Sequence, residues 1–378
     1  MSEKQTILVT TAKFITPYLE KEIRELGYEP DIVRATGVEF KGTKEDCLRL
    51  NLHLRTAYRV LWLIDEFEAK DLDELYDNAI EIDWENWLDP FEGYVSLQTS
   101  VFQDGINDTR MPSLKCKDAI MDRMREVYDV RPDAGPDNDK TVFYLYWSRN
   151  QVRLFADTSG TPLNRRGYRL DPFKAPMQET LAAAVLMETI WREGRNVVNP
   201  MCGSGTLIIE ALLMASNIAP GTLRDNFGFM HLKPFEDLDW DSMVQEAKSK
   251  EIKVPDGMFV ASDRDRKAVS AAKKNAERAG VSQNILFRAC DFRESLIPRG
   301  RGIVVLNPEY GLRLGEEYKL VKVYAGIGDF FKHRCKGYRC YVFTGNLELA
   351  KKVGLATEKR TPFYSADLEC RLLEYQVY

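Results

Sequence analysis

Two hydrophobic periods alternate along the first sixty residues. Thr6 to Thr10 places apolar side chains at every second position, as a half-buried strand does, and Thr16 to Leu26 carries Tyr18, Leu19, Ile23 and Leu26 at helical spacing before Gly27. Val38 to Phe40, closed by Gly42, repeats the strand pattern, and Lys44 to Leu54 the helical one. Residues 1–65 are therefore expected to form a small α+β domain. A second one is expected over 66–158: Tyr94 to Phe102 alternates as a strand, Ser113 to Tyr128 reads as a helix, and Thr141 to Trp147 and Gln151 to Asp157 read as paired strands. The Pro and Gly content of Arg131 to Asp137 predicts a loop, and residues 159–172, rich in Gly, Pro and Arg, a linker.

From residue 173 to 378 strand and helix patterns alternate, which predicts a mostly parallel sheet covered by helices on both faces, an α/β fold. Its strands are Asn196 to Asn199, Met258 to Ser262, Ile285 to Ala289 and Gly302 to Leu306; helices Thr206 to Ser216 and Arg266 to Ala279 leave the first two. The insertion between Asn217 and Gly257 is expected to pack on the sheet rather than cover the ligand edge.

Composition narrows the class. Apolar residues at 44% and charged residues at 29% describe a soluble globular protein, and no apolar run approaches the roughly 20 residues a membrane span needs. The start has no signal-type apolar segment, and the seven cysteines are scattered without a CxxC pair, so a cytoplasmic protein with reduced thiols is expected. His53, His231 and His333 are too far apart to suggest a metal motif, and no metal is expected. A net charge of −5 argues against nucleic-acid binding by bulk charge alone. The distribution changes that picture: residues 65–89 are acidic, while Arg149, Arg153, Arg165, Arg166, Arg169 and Lys174 form one basic run and Arg313 to Arg339 another. Basic runs on both sides of a candidate site favour a polyanionic substrate.

The candidate chemistry lies at the ends of the four strands. Asn199-Pro200-Met201-Cys202-Gly203-Ser204-Gly205-Thr206 turns from strand to helix, with glycines where a ligand can approach the backbone. It lacks the Lys of a phosphate-binding P-loop and has Ile208 where a dinucleotide fingerprint needs its third glycine. The next strand ends at Asp263, placed to accept ribose hydroxyls; the third at Asp291 beside Phe292, suited to an adenine; the fourth at Asn307-Pro308-Glu309-Tyr310-Gly311, suited to gripping a planar amine. Any one of these acids could serve as a helix cap, but the ordered set points to one ligand edge.

That set resembles the Rossmann-like S-adenosylmethionine-dependent methyltransferases. With Pro176-Met177-Gln178-Glu179-Thr180, Gly105-Ile106-Asn107-Asp108-Thr109-Arg110, Lys115-Cys116-Lys117 and Arg165-Arg166-Gly167-Tyr168-Arg169, nearly the whole chain is similar to the THUMP-containing RNA guanine-N2 methyltransferases. It looks closest to the N-terminal methyltransferase half of the bacterial enzymes acting on large-subunit ribosomal RNA, without the second such domain fused in some relatives. The resemblance implies a ferredoxin-like module, a THUMP RNA-binding module and a methyltransferase domain ending in a hairpin. It implies S-adenosylmethionine as cofactor and RNA, not DNA or membrane, as partner. Asn199, Cys202, Gly203 and Gly205 would cradle the cofactor, Asp263 and Arg264 its ribose, Asp291 and Phe292 its adenine, and Gln178 and Thr180 its methionine end. Lys115, Lys117, Arg165 and Arg166 would meet RNA. Asn307 and Pro308 would accept the two hydrogens of the amine while Tyr310 stacks on a base flipped out of its helix. Glu309 departs from the family, whose motif has proline there. A transfer-RNA enzyme and a non-catalytic RNA-binding or ribosome-assembly relative fit the same resemblance.

Overall fold

The computed structural model describes residues 3–91, 93–108, 110–169, 177–191, 194–311 and 317–377. Thr109, Lys174, Pro176 and Arg313 lie outside the described residues. The chain divides into two compact units: Met1–Thr11, Leu19–Leu163 and Arg224–Gln245 in one, and Ala12–Tyr18, Asn164–Leu223 and Glu246–Tyr378 in the other.

The first unit is built on strands β1 (Gln5–Thr10), β2 (Ile32–Arg34), β3 (Gly37–Gly42), β4 (Arg59–Glu68), β5 (Tyr94–Phe102), β6 (Asp133–Ala134), β7 (Val142–Ser148) and β8 (Gln151–Asp157). They form one sheet in the order β2-β3-β1-β4-β8-β7-β5-β6. Helices α1 (Thr16–Glu25), α2 (Lys44–His53), α3 (Leu72–Ile80) and α4 (Arg110–Tyr128) connect them. The border expected at 65/66 falls inside β4, which pairs antiparallel with β1 through Arg59 to Trp62 and with β8 through Leu61 to Glu68. Its run Val60-Leu61-Trp62-Leu63 is buried on both faces, so it has no alternation to read. The expected loop at 131–137 contains the short β6, which pairs with Tyr94 and Val95.

The acidic run has a local purpose. Asp71 caps α3, accepting from the backbone N–H groups of Asp73 and Glu74, and the acids around it answer the basic face of α4. Lys115 lies 3.1 Å from Asp73, and Arg123 reaches Asp83 at 2.8 Å and Glu85 at 2.7 Å. The insertion residues Arg224–Gln245 pack in this unit, with Phe227 and Phe229 against Trp240 and Phe235 edge-on to Trp62. This part of the insertion, expected on the sheet of the second unit, belongs instead to the core of the first.

In the second unit α5 (Glu179–Glu188) precedes β9 (Asn196–Pro200) and α6 (Thr206–Ala215); α7 (Trp240–Ser249) closes the insertion. There follow β10 (Phe259–Asp263), α8 (Arg266–Arg278), β11 (Ile285–Ala289), β12 (Gly302–Leu306), α9 (Glu317–Arg334), β13 (Arg339–Thr344), α10 (Leu347–Ala350), β14 (Lys359–Ser365) and β15 (Leu368–Gln376). The sheet order is β11-β10-β9-β12-β13-β15-β14. The first five strands are parallel, and the β14/β15 hairpin adds antiparallel to β13. The order reverses between β9 and β12, and at such a switch the loops leaving neighbouring strands diverge to opposite faces and open a crevice at the carboxyl edge.

Candidate active site

The crevice is a cleft of about 530 Å³ at that edge. Its floor is the turn from β9 into α6. Asn199 is 1% exposed, and its Nδ2 donates to the Val305 carbonyl of β12 at 2.8 Å, which fixes the side-chain amide across the two strands. Asn199 lines the cleft, and its Oδ1 is buried and accepts no hydrogen bond among the described residues. A buried acceptor left open costs about 1–3 kcal/mol, so the position is built for a donor that arrives with a ligand.

The turn itself holds Met201 at φ 69°, Gly203 at φ 54° and Gly205 at φ 88°. A Cβ at Gly203 would meet nothing within 4 Å, so the backbone there faces open cleft; a Cβ at Gly205 would lie 2.9 Å from the Ala272 Cβ of α8. Gly205 is thus a packing glycine, and it does not line the cleft. Asp263 closes the turn from the neighbouring strand: its Oδ2 accepts from Gly203 N at 3.1 Å and its Oδ1 from Asp265 N at 3.0 Å. Each carboxylate oxygen keeps a second lone pair for a ligand hydroxyl. Burial first, then Asp263, push the Cys202 thiol up, which leaves it neutral and unsuited to nucleophilic work.

Asp291 pairs with Arg293 through two contacts of 2.7 and 2.9 Å, and this pairing holds its carboxyl below the ordinary range. Phe292 is buried edge-on to Phe330 at 5.8 Å, with the Arg293 guanidinium over its ring. At the end of β12, Pro308 is buried, Glu309 exposed and Asn307 between the two; all three line the cleft. Tyr310 does not line it. Its hydroxyl instead donates to Asn307 Oδ1 at 2.7 Å, and Asn346 donates to its carbonyl at 2.9 Å. Burial pushes the phenol pKa up, so Tyr310 is a fixed neutral donor rather than the stacking ring expected from the sequence.

Of the expected cofactor residues, Asn199, Cys202, Gly203, Asp263, Arg264, Asp291 and Phe292 meet in one cleft. Gln178 and Thr180 stand beside it without lining it; Gln178 sits at the N-cap of α5, and Thr180 is fully buried with its Oγ1 unpartnered among the described residues. Their neighbour Met177 is the residue that reaches the cleft, its carbonyl held by Arg169 at 2.6 Å. Leu320, Lys322 and Val323 of α9 also line the cleft, none of them among the expected site residues. The apolar spacing Leu320, Tyr324, Ile327 and Phe331 marks that helix and would have placed Lys322 on its open face.

The expected RNA-binding arginines separate. Arg165 is exposed, but Arg166 is 1% exposed with its guanidinium 3.6 Å from the buried Glu210, to which Tyr168 also donates at 3.0 Å. A side chain sealed in this way cannot meet phosphate, and the assignment of Arg166 to RNA is corrected to a core ion pair. In the first unit, Lys115 keeps a third of its surface beside Asp73, and Lys117 has no ion-pair partner among the described residues. Half-exposed pairs of this kind are worth about 0–1 kcal/mol, little enough for a phosphate to compete.

Residues 166–374 match the RMKL-like methyltransferase domain, residues 6–61 the RlmL ferredoxin-like domain and residues 69–157 the THUMP domain. The chain is 37% identical to the ribosomal RNA large subunit methyltransferase K/L of Syntrophotalea carbinolica, over 97% of this chain and 53% of that protein. It is 34% identical to slr0064 of Synechocystis sp. over 98% of this chain and 96% of that one. The chain thus spans about half the length of the first of these relatives and nearly all of the second. Among solved structures, SMU.472, solved in complex with SAH, superposes with a TM-score of 0.88 at 27% identity, over 100% of this chain and 99% of that one. Sheet order, cleft and all three domain matches agree: the chain belongs to the family of RMKL-like methyltransferases that carry ferredoxin-like and THUMP domains.

Proposed function

We propose that this protein is an S-adenosylmethionine-dependent RNA methyltransferase acting on the exocyclic N2 amine of a guanine in large-subunit ribosomal RNA. The observation that carries the reading is the convergence in one cleft of Asn199, Gly203, Asp263 and Asp291 with Asn307 and Pro308. The first four fit the cofactor on their own chemistry: an unpaired buried acceptor, a backbone with no Cβ in the way and two carboxylates at successive strand ends. When bound there, S-adenosylmethionine supplies an electrophilic methyl group on a sulfonium sulfur.

The protein's task is to present a poor nucleophile. The N2 lone pair of guanine is delocalised into the ring, and it becomes available when the amine is drawn toward a pyramidal shape. Asn307 Oδ1 takes one lone pair's worth of hydrogen bond from Tyr310 and keeps the other for an amine hydrogen; the Pro308 carbonyl can take the second. Tyr310, itself tied to Asn346, fixes which way the Asn307 amide points. Orientation and placed dipoles carry the rate, with no charged base among the groups that grip the amine. The names of the relatives and the THUMP match support ribosomal RNA as substrate. The test is incubation with labelled S-adenosylmethionine and total ribosomal RNA, transfer RNA or DNA, followed by mapping of the product nucleotide. N2-methylguanosine in large-subunit RNA is expected; cofactor binding without transfer to any of them refutes the enzyme in favour of a binding protein.

A further inference from the structure

Among the charged groups that line the cleft, Glu309 stands next to the amine grip and is used neither by it nor by the expected cofactor contacts. Glu309 follows Pro308 directly and lines the cleft with an exposed side chain. Its main chain is held: Tyr324, bonded to Thr344 at 2.8 Å, donates to the Glu309 carbonyl at 3.3 Å, and Pro308 before it is fixed in φ. The carboxylate has no hydrogen-bond or ion-pair partner among the described residues, although Lys322 lines the same cleft. A free carboxylate on a held backbone, one residue from the amine grip, faces whatever lies beside the amine.

We infer that Glu309 reads the base being methylated, accepting the N1–H that lies next to the N2 amine on the Watson–Crick edge of guanine. This rests on the proposed guanine-N2 reading and deepens it. On guanine the N1 position is a donor, whereas on adenine and on 2,6-diaminopurine it is a lone pair. A carboxylate therefore attracts the first and repels the others, at no cost to the hydrogen bonds that Asn307 and Pro308 make to an amine. The glutamate makes base selection a property of the strand-end loop itself, because one main-chain segment carries both the grip and the reader.

The experiment compares kcat/KM for a transcript bearing the mapped target guanine with that for the same transcript carrying 2,6-diaminopurine in its place. The analogue keeps the N2 amine and reverses the hydrogen-bonding sense at N1 and, with an amine for the carbonyl, at C6, where no protein contact is assigned. For the unaltered protein a preference for guanine of roughly 10–100-fold is expected, the range that one well-placed polar contact to a base edge gives. Glu309→Gln, whose amide can donate to N1, and Glu309→Pro should each bring the ratio to within about threefold of unity. The ratio is insensitive to the fraction of protein folded, so a folding defect cannot mimic the effect. Transfer to guanine with the ratio unchanged in both variants overturns the inference and leaves the proposed function standing. No transfer to either transcript overturns both.

Discussion

Two glycines separated by one serine should respond to the same substitution in opposite assays. Gly205→Ala puts a Cβ 2.9 Å from the Ala272 Cβ and 3.2 Å from its Cα, at φ 88°. The backbone term is about 1–2 kcal/mol for a left-handed residue with a Cβ, and overpacking adds about 1–3 kcal/mol. The reduced freedom of the unfolded chain returns about 0.4–1 kcal/mol, so a net loss of about 3 kcal/mol is expected. For a unit of this size that is a fall in Tm of roughly 6–12 °C. Gly203→Ala, with φ 54° and no atom within 4 Å of the new methyl, carries only the backbone term. After the same offset about 1 kcal/mol remains, or roughly 2–4 °C. Its methyl, however, projects into the cleft where the cofactor is proposed to lie. Calorimetric titration with S-adenosylmethionine should therefore show at least a ~10-fold loss of affinity, the cost of one misplaced contact of about 1.4 kcal/mol. Equal falls in Tm for the two variants, or unchanged cofactor affinity in Gly203→Ala, would refute this division of labour.

Three further outcomes follow from the site and its supports. Burial pushes the Glu179 carboxyl up to about 7 against the pull of Arg169, so the folded state holds its proton more tightly than the unfolded one. Stability should then fall as pH rises from about 4.5 to about 7, by about 3 kcal/mol at most, and urea unfolding of Glu179→Gln should show that slope flattened. Arg166→Ala should destabilise by about 3–5 kcal/mol by stranding Glu210, whereas Arg165→Ala should leave Tm within about 1 °C and lower the salt dependence of RNA binding by about one counterion. A swap of those two effects would return Arg166 to the RNA surface. Tyr310→Phe keeps the ring and frees Asn307 Oδ1; kcat should drop by roughly 10-fold with KM for the cofactor unchanged, and an unchanged kcat would show that the hydroxyl has no positioning role.

The sequence showed the strand ends more clearly than the supports behind them. Ile285 to Ala289 and Gly302 to Leu306 have the bounds expected of them; the second is an apolar run buried throughout, and the first an edge strand whose Leu286, Arg288 and Ala289 are exposed. Asp263, Asp291 and Asn307 were legible because each stands where a strand-like run gives way to a turn. What was not legible depended on partners distant in sequence. Arg166 looks like its exposed neighbour Arg165 until Glu210 is placed beside it, and Tyr310 looks like a stacking ring until Asn307 takes its hydroxyl. The insertion 224–245 has the aromatic content of a core segment, but nothing local says which core it joins.

The unbroken course of β4 bears on how such a protein can be taken apart. The ferredoxin-like match ends at residue 61 and the THUMP match begins at residue 69, yet one strand runs through the junction, its Arg59 to Trp62 paired with β1 and its Leu61 to Glu68 with β8. A recombination or protease cut at that junction would sever the middle of a hydrogen-bonded ladder instead of a tether. The two modules must therefore be inherited, expressed and engineered as one piece, whatever their separate names suggest.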